Sequence, residues 1–316
     1  MNIRRFEQQD AEAVSALVIK TVRISNVKDY PADLMEEVVK SQQPENILER
    51  AGWTHMYVVE DEGMIIGVGA IGPYWGKEDE SSLFTIFVLP EYQGKGVGRL
   101  IMETLEKDEF FLRAKRIEIP SSITGCQFYR HFGYDYKNGI AEVDDEHVYR
   151  LEKFRGICKI GRNSIPQCVK VIKTSFMTVA DEFGFTVENA PRFVAFAATD
   201  EKLFSQYDEE QRPMYAYYSE VGRIVGYYSL LRLENGECEL NNLCVLPEYR
   251  HRNIGEKLLN DACEEAKAMG CTKLVFSIVE ENAVLRKWYE KHGAVHVGTK
   301  KFDFFPFTCG YMEIKL

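Results

Sequence analysis

The spacing of apolar residues divides the 316-residue chain into two halves that predict the same order of elements. Short alternating or continuous apolar runs predict strands, and apolar residues three and four apart predict helices. In the first half, strands are predicted at 2–6, 55–60, 64–71, 83–88 and 115–119 and from 134 onward with 147–153, and helices at 10–25, 32–41, 44–52, 97–111 and 122–132. In the second half, strands are predicted at 157–160, 215–218, 224–233, 237–245 and 273–279 and twice more before 316, and helices at 164–183, 254–269 and 282–292, with 191–208 partly helical. Each half therefore combines strands and helices in one α/β or α+β domain.

One strand of the first half ends in a glycine-rich turn that leads into a helix. Residues 83–99 read LFTIFVLPEYQGKGVGR. Pro90 has no N–H to give to a strand ladder, and Gly94 and Gly96 permit a positive φ. The free backbone N–H groups of such a turn, at a helix N-terminus, predict a site for a phosphate or pyrophosphate. A dinucleotide fingerprint is excluded because it needs glycine where Arg99 stands, and a P-loop is excluded because it ends in Lys-Ser or Lys-Thr.

The second half contains a copy of this stretch. Residues 245–255 read VLPEYRHRNIG, and Arg250 stands 157 positions after Gln93. This period is far longer than the roughly 20–50 residues of solenoid repeats. It predicts two tandem domains, 1–153 and 154–316, joined without a flexible Pro/Ser/Gly-rich linker.

Composition narrows the class of partner. The net charge of −10 argues against nucleic acid or an anionic membrane as the main partner, and no apolar run approaches the roughly 20 residues of a membrane span. The N-terminus shows no apolar signal sequence. The eight cysteines form neither a C-x-x-C pair nor a metal-binding pattern with histidine. We therefore expect a cytoplasmic protein with reduced thiols and no metal.

The Gln-x-x-Gly-x-Gly sequence at 93–98, directly after a strand that ends Val-Leu-Pro, resembles the acetyl-CoA pyrophosphate loop of the GNAT superfamily of N-acetyltransferases. With the second copy, the resemblance covers nearly the whole chain. It implies two tandem GNAT-like domains, each a mixed, mostly antiparallel sheet flanked by helices. It also implies acetyl-CoA as co-substrate and transfer of the acetyl group to a primary amine by direct attack in a ternary complex.

The resemblance places cofactor binding on the loop, on the backbone of the preceding strand and at the start of a later helix. In the first half these residues are Ile86, Phe87, Val88, Gln93, Gly94, Lys95, Gly96, Val97, Gly98, Arg99 and Ser122. In the second half they are Leu243, Cys244, Val245, Arg250, His251, Arg252, Asn253, Ile254, Gly255 and Asn282. Ser122 and Asn282 also fit the pattern of plain helix N-caps.

Three residues are implied to move protons. Tyr129 and Tyr289 each stand four positions before the glycine that ends a helix, where the family often has a tyrosine that protonates the departing thiolate. Either tyrosine also fits simple packing on an amphipathic helix. Glu239, on the strand before the second loop, fits the place of the family's general base. Its first-half counterpart is Ser82, with Glu80 nearby.

The two halves depart from the family pattern differently. The first has the intact loop but no clear base, whereas the second has Asn253 where the family has glycine. Two alternatives stay open: a non-catalytic acyl-CoA-binding or sensing protein, and one catalytic domain beside a structural one. The amine acceptor is undefined, although aromatic residues at 74–75 and 302–307 suggest apolar walls of a substrate pocket.

Overall fold

The computed structural model describes residues 1–27 and 29–316, which fold as two compact units, Met1–Phe154 and Arg155–Leu316. The sequence-based division lies after residue 153. The helices of the N-terminal unit are α1 (Ala11–Thr21), α2 (Ala32–Lys40), α3 (Pro44–Trp53), α4 (Val97–Leu105), α5 (Glu109–Arg113) and α6 (Cys126–Arg130). Its strands are β1 (Asn2–Arg5), β2 (His55–Asp61), β3 (Met64–Tyr74), β4 (Lys77–Val88), β5 (Arg116–Ser121), β6 (Asp135–Tyr136) and β7 (Tyr149–Phe154).

The C-terminal unit repeats this plan. Its helices are α7 (Ile165–Phe183), α8 (Val194–Ala197), α9 (Asp200–Asp208), α10 (Ile254–Ala268) and α11 (Ala283–Lys291). Its strands are β8 (Gly156–Lys159), β9 (Met214–Tyr218), β10 (Ile224–Arg232), β11 (Glu237–Val245), β12 (Lys273–Val279), β13 (Val295–Lys301) and β14 (Thr308–Lys315).

Each unit is built on one seven-stranded sheet. The order of strands is β1-β2-β3-β4-β5-β7-β6 in the N-terminal unit and β13-β14-β12-β11-β10-β9-β8 in the C-terminal unit. Among the strands of the described residues, only β4 with β5, and β11 with β12, run parallel. All other pairs in the two sheets are antiparallel. The expected mixed, mostly antiparallel sheet flanked by helices is thus confirmed in both units.

Glycines let the helix after each loop approach the sheet closely. In the N-terminal unit, a Cβ on Gly67 of β3 would lie 2.8 Å from Cγ1 of Val97 on α4. In the C-terminal unit, a Cβ on Gly226 of β10 would lie 2.8 Å from Cδ1 of Leu258 on α10. Val97 and Leu258 are buried, so α4 and α10 are held against their sheets by apolar side chains.

The single helix predicted at 97–111 is in fact two helices, α4 and α5. The carboxylate of Asp108 interrupts the pattern, because it accepts the N–H of Phe110 at 2.9 Å as an N-cap. Asp108 is buried, and it also holds Nδ1 of His55 at 2.8 Å and Oη of Tyr57 at 2.7 Å. These contacts across the sheet fix the position of the break, and they lie too far apart in sequence for a helical pattern to reveal them.

The helix predicted from residue 122 begins at Cys126 instead. Ser122 Oγ accepts the N–H of Gly125 at 3.1 Å, and Oη of Tyr30 accepts the N–H of Ile123 at 2.8 Å. The N–H groups of Gly125 and Cys126 bond to the carbonyls three residues earlier, so residues 122–125 form a turn and the N-cap of the helix is Gly125. The prediction of Ser122 as a helix N-cap was therefore wrong, whereas Asn282 caps α11 as predicted, with its Oδ1 accepting the N–H of Leu285 at 2.9 Å.

Candidate active site

Two parallel strands diverge in each unit and open a wedge in the sheet. In the N-terminal unit, β4 and β5 pair only through Glu80–Ser82 and Arg116–Glu118. In the C-terminal unit, β11 and β12 pair only through Glu237–Glu239 and Lys273–Val275. The strands continue beyond these pairs, so the later parts of β4 and β11 have a strand neighbour on one side only. Such a backbone edge can hold an extended ligand by strand-like hydrogen bonds.

A β-bulge bends β4 and β11 inside the wedge. Residues 85 and 86 lie opposite a single residue of β3, and residues 242 and 243 lie opposite a single residue of β10. Thr85 has a φ of 50° and Asn242 a φ of 56°. A β-branched residue rarely adopts this left-handed backbone, and bulges with such strain concentrate at functional sites.

The glycine-rich loop adopts the conformation that its sequence predicts. Gly94 and Gly96 have φ of 71° and 88°, and a Cβ on either would meet no other atom within 4 Å. Backbone conformation, rather than space, is thus what favours glycine here. The first helical hydrogen bond runs from the N–H of Leu100 to the carbonyl of Gly96 at 3.0 Å. The amides between them therefore precede the hydrogen-bond ladder of α4 and are available to an anion.

One side chain ties each loop to the preceding strand and to the first helical segment. Gln93 Nε2 donates to the carbonyl of Val88 and to Ser25 Oγ, both at 3.1 Å. In the C-terminal unit, Arg250 Nε donates to the carbonyl of Val245 at 3.2 Å, and its Nη2 donates to Thr178 Oγ1 at 3.0 Å. Gln93 and Arg250 therefore position the loop, because Gln93 Nε2 and Arg250 Nε and Nη2 donate to groups within the protein.

A cavity of about 780 Å³ lies in the N-terminal unit, between the diverging strands and the loop. It brings together most of the residues that the sequence assigned to that half. Those that line it are Ile86, Phe87, Val88, Gln93, Gly94, Gly96, Gly98, Arg99, Ser122 and Tyr129. The side chains of Lys95 and Val97 point elsewhere: Lys95 Nζ lies 5.2 Å from the ring centre of Tyr92, and Val97 is buried in the core.

The two candidate tyrosines are deeply buried. Tyr129 is 7% exposed and Tyr289 is 5% exposed. Burial raises the pKa of both phenols well above the usual value of tyrosine, so each keeps its proton through the neutral range. Tyr129 lies in the wall of the cavity, where its hydroxyl group can serve as a proton donor. Tyr289 packs against Phe276, with ring centres 4.5 Å apart.

The loop of the C-terminal unit has the same backbone shape without the glycines. His251 and Asn253 have φ of 61° and 59°, at the positions of Gly94 and Gly96. Asn253 is the residue before α10, which begins at Ile254 and contains Gly255. Arg252 lies with its guanidinium 5.1 Å from the ring centre of Tyr249. Side chains therefore stand at the two positions where the N-terminal loop exposes bare backbone.

The acidic and hydroxyl residues near the start of β4 do not supply a base. Glu80 is bound to Arg116 Nη1 at 2.6 Å, and Ser82 is fully buried with its Oγ donating to the carbonyl of Glu118 at 3.0 Å. Neither lines the cavity. Glu239 of the C-terminal unit lies half-buried in the paired part of β11, opposite Val275.

Several further polar residues line the cavity without having been singled out from the sequence, among them Tyr30, Gln42, Arg50 and Glu146. They come from the segment before α2, from the segment before α3, from α3 itself and from the segment before β7. Each lies in a stretch with no motif, so only the folded chain brings them to the bulged strand. Arg50 Nη1 donates to Thr85 Oγ1 at 2.7 Å and thereby touches the bulge directly.

The aromatic residues that the sequence suggested as pocket walls, at 74–75 and 302–307, do not line this cavity. Trp75 is 72% exposed, and neither Tyr74 nor Trp75 belongs to the cavity wall. The segment 302–307 packs instead into an aromatic cluster of the C-terminal unit. We call this the Phe cluster; its buried and partly buried aromatic members are Phe176, Phe183, Phe185, Phe193, Phe196, Phe302, Phe305 and Phe307.

In residues 1–27 and 29–316, no group of three or more His, Cys, Asp or Glu side chains is arranged to hold a metal ion. Over the same residues, no helix has both the length and the apolar character needed to cross a membrane.

These features define a protein with two α/β units, each carrying a bulged, splayed strand and a loop at a helix N-terminus. Two family models match the chain at separate places. The acetyltransferase (GNAT) domain matches residues 52–136, and the acetyltransferase (GNAT) family matches residues 182–294. Together they cover more than half of the chain, and it belongs to the GNAT acetyltransferase family, with one family domain in each unit.

Curated relatives match a shorter region. Uncharacterized N-acetyltransferases of Mycobacterium bovis and Mycobacterium tuberculosis are each 30% identical over 81 residues, which is 26% of this chain and 52% of the relative. The chain thus spans about half the length of the curated relatives that it matches.

Solved structures with a similar fold each cover about half of the chain. The PaiA N-acetyltransferase of Thermoplasma acidophilum, in complex with coenzyme A, is 21% identical with a TM-score of 0.44, over 51% of this chain and 98% of that one. The ribosomal-protein-alanine N-acetyltransferase of Brucella melitensis is 19% identical with a TM-score of 0.40, over 51% of this chain and 99% of that one.

Proposed function

We propose that this protein is an acetyl-CoA-dependent N-acetyltransferase whose N-terminal unit moves the acetyl group to a primary amine by direct attack in a ternary complex. One observation carries the proposal: the loop glycines, the unpaired edge of β4 and the buried phenol of Tyr129 all border one cavity of about 780 Å³. Family membership supplies the class of reaction, and this cavity supplies a place for it.

The loop would hold the pyrophosphate of the cofactor. The amides of residues 94–98 precede the first helical hydrogen bond, and α4 adds the positive end of its dipole. Arg99 lines the same cavity and contributes a positive charge, and Lys95 adds another nearby on the loop. Bare backbone at Gly94 and Gly96 allows the phosphates to approach the amides closely.

The strand would hold the reactive end of the cofactor. Beyond Ser82, β4 has no pairing with β5, and Ile86, Phe87 and Val88 line the cavity. Their backbone groups can bind the pantetheine arm as a strand would, and an N–H near the bulge can polarise the thioester carbonyl. Hydrogen bonds to a carbonyl that gains negative charge in the transition state are among the largest contributions to catalysis.

Tyr129 and Glu146 would move the protons. Attack by an amine releases one proton from nitrogen, and departure of CoA requires one at sulfur. The raised pKa of Tyr129 keeps the phenol protonated, so it can donate to the departing thiolate. Glu146 is the only carboxylate among the described residues that line the cavity; its side chain is exposed, and its Oε2 accepts a hydrogen bond from Arg150 Nη2 at 2.6 Å. Its place in the lining, which Glu80 lacks, makes it our candidate to accept the proton of the amine, directly or through water.

We also propose that the C-terminal unit binds acetyl-CoA, with the residues that correspond to those of the N-terminal site. Leu243, Cys244 and Val245 occupy the strand edge, the loop runs from Arg250 to Gly255, and Asn282 begins the later helix. Glu239 and Tyr289 remain the predicted base and acid of that unit. With His251 and Asn253 at the glycine positions, we propose that this unit binds acetyl-CoA more weakly than the N-terminal unit.

The direct test is release of CoA thiol from acetyl-CoA by the full chain with a panel of primary amines, together with calorimetric titration by acetyl-CoA. We expect amine-dependent release and at least one binding site per chain. Binding without release for any amine would favour an acyl-CoA-binding or sensing protein. The absence of both would exclude the proposal.

A further inference from the structure

The cavity contains a buried positive charge that the mechanism above does not use. Arg50 of α3 is half-buried, and its guanidinium reaches the bulge of β4. No carboxylate of residues 1–27 and 29–316 lies within ion-pair distance of it. The other half-buried arginine near β4, Arg116, is bound by Glu80, Glu118 and Glu152. Of these two arginines beside β4, Arg50 is the one without a counter-ion among the described residues.

The hydrogen bonds of Arg50 leave one edge of the guanidinium open. Both side-chain contacts start from Nη1, which donates to Thr85 Oγ1 at 2.7 Å and to Gln42 Oε1 at 3.1 Å. These two neutral acceptors fix the plane of the group. No hydrogen bond from Nε or Nη2 to the described residues accompanies them, and Nε with Nη2 forms the pair of parallel donors that matches a carboxylate.

The surroundings make an anion favourable at this point. Leu34, Met35, Val38 and Phe84 line the same cavity, so the charge lies among apolar walls where electrostatic attraction is strong. Burial lowers the pKa of Arg50, which reflects the unfavourable desolvation of a cation without a partner. An anionic group of a ligand would remove that penalty.

Arg50 lies beside the part of β4 where we place the reacting thioester. Thr85, which Arg50 contacts, directly precedes Ile86, where the unpaired edge of β4 would meet the thioester. A group bound at Arg50 is therefore close to the acetyl group, on the side opposite the pyrophosphate loop. This is the place for the acceptor substrate and not for the phosphates of the cofactor.

We propose that the amine accepted by the N-terminal unit carries a carboxylate close to its amino group, as in an α-amino acid, and that Arg50 binds this carboxylate through Nε and Nη2. The proposal rests on the function proposed above for that unit. In this proposal, Arg50 is the residue that selects amines with a neighbouring carboxylate over amines without one. The chemistry at the amine nitrogen is unchanged.

Matched pairs of substrates test the assignment. Each pair is an L-amino acid and the amine that lacks its carboxylate, for example phenylalanine with phenethylamine, histidine with histamine and lysine with cadaverine, across a panel of side chains. With acetyl-CoA saturating, CoA release gives kcat/KM for each partner. We expect the amino acid to be preferred about 10- to 100-fold in the pairs that react, since a hydrogen-bonded charge pair contributes on that scale.

Substitution at Arg50 separates recognition from support of the bulge. Arg50→Met should remove the preference by raising KM for the amino acid, with kcat/KM for the simple amine changed less than about threefold. Arg50→Lys, which keeps the charge but not the paired donors, should retain part of the preference. Arg99→Met is the matched control, expected to raise KM for acetyl-CoA and to leave the preference intact. Equal losses for acid and amine in Arg50→Met would mean that Arg50 only supports Thr85, and would overturn the proposal.

Measuring the binding of products distinguishes the role proposed for Arg50 from the acetyltransferase activity on which it rests. The chain saturated with CoA is titrated with the N-acetyl derivatives of the same pairs, which needs no turnover. Tighter binding of N-acetyl-amino acids, lost in Arg50→Met, supports the role of Arg50 even if no amine reacts. Reaction with simple amines but not with amino acids would overturn this inference and keep the acetyltransferase. Failure of every derivative to bind the CoA complex would also overturn it.

Discussion

The N-terminal unit has a cavity beside its bulged strand, whereas a residue of the C-terminal unit that corresponds to its lining belongs to an aromatic cluster. The registers of the two parallel strand pairs make Ser122 and Val279 counterparts. Ser122 lines the cavity, but Val279 belongs to the Phe cluster. The second half of α7 likewise contributes Phe176 to that cluster, while the segment after α1 contributes Ser25 to the cavity wall.

The loops of the two units also differ in the side chains at two equivalent positions. Gly94 and Gly96 present bare backbone, and His251 and Asn253 hold nearly the same φ angles while carrying side chains. The comparison teaches that a shared backbone plan can be preserved by different residues, and that side-chain volume and charge then decide which copy can accept a ligand. We therefore propose that catalysis takes place in the N-terminal unit, and we expect the C-terminal unit to contribute less to cofactor binding.

The largest expected effect comes from a negative charge in the loop. Gly96→Asp places a carboxylate against the pyrophosphate and a side chain at a φ of 88°, so affinity for acetyl-CoA should fall about 100-fold or more. Because a Cβ at residue 96 meets no atom within 4 Å, the fold should survive, which circular dichroism can verify. Calorimetric titration measures the affinity.

Asn253→Asp is the matched control in the C-terminal unit. It should leave the principal acetyl-CoA site unchanged. A site that survives Gly96→Asp and binds acetyl-CoA as tightly as the principal site of the unchanged chain would contradict the assignment of cofactor binding mainly to the N-terminal unit.

A smaller effect is expected from removing one hydroxyl group. Tyr129→Phe should lower kcat roughly 100-fold, in the range of general acid catalysis, with acetyl-CoA affinity unchanged within about twofold. Steady-state CoA release and calorimetry measure the two quantities. The same change at Tyr289 should have little effect on turnover. An unchanged kcat in Tyr129→Phe would exclude its role as the acid.

The smallest effect concerns the bulge itself. Asn242→Thr puts a β-branched residue at a φ of 56° and should destabilise β11 by about 1 kcal/mol, since asparagine tolerates this backbone better than threonine. The reciprocal change, Thr85→Asn, should alter the stability of β4 by less, because it also removes the acceptor of Arg50. Hydrogen exchange of the strand amides measures each unit separately. Equal and negligible changes in both would show that the bulge residue is not strained in either unit.

Much of the fold could be predicted from sequence because the signals are local. The loop sequence, the proline after each strand and the apolar periodicity gave the strands around both loops and the tandem repeat. The predictions failed where a distant contact overrode the pattern. Asp108, held by His55 and Tyr57, interrupts a helix, and a turn at 122–125, contacted by Tyr30, delays the start of another.

The residues of the candidate site also fall into those that local sequence predicts and those that only the fold reveals. The repeated Val-Leu-Pro-Glu-Tyr stretch, with its glycines, determined the two-domain plan and the anion-binding loop, because backbone conformation at such a turn depends on the residues of the turn itself. Arg50, Gln42 and Glu146 became candidates only in the tertiary structure, because they lie in separate segments that meet at one cavity. The missing counter-ion of Arg50 is likewise a property of packing: the sequence contains ample carboxylates, and only the fold decides which of them reach a given charge.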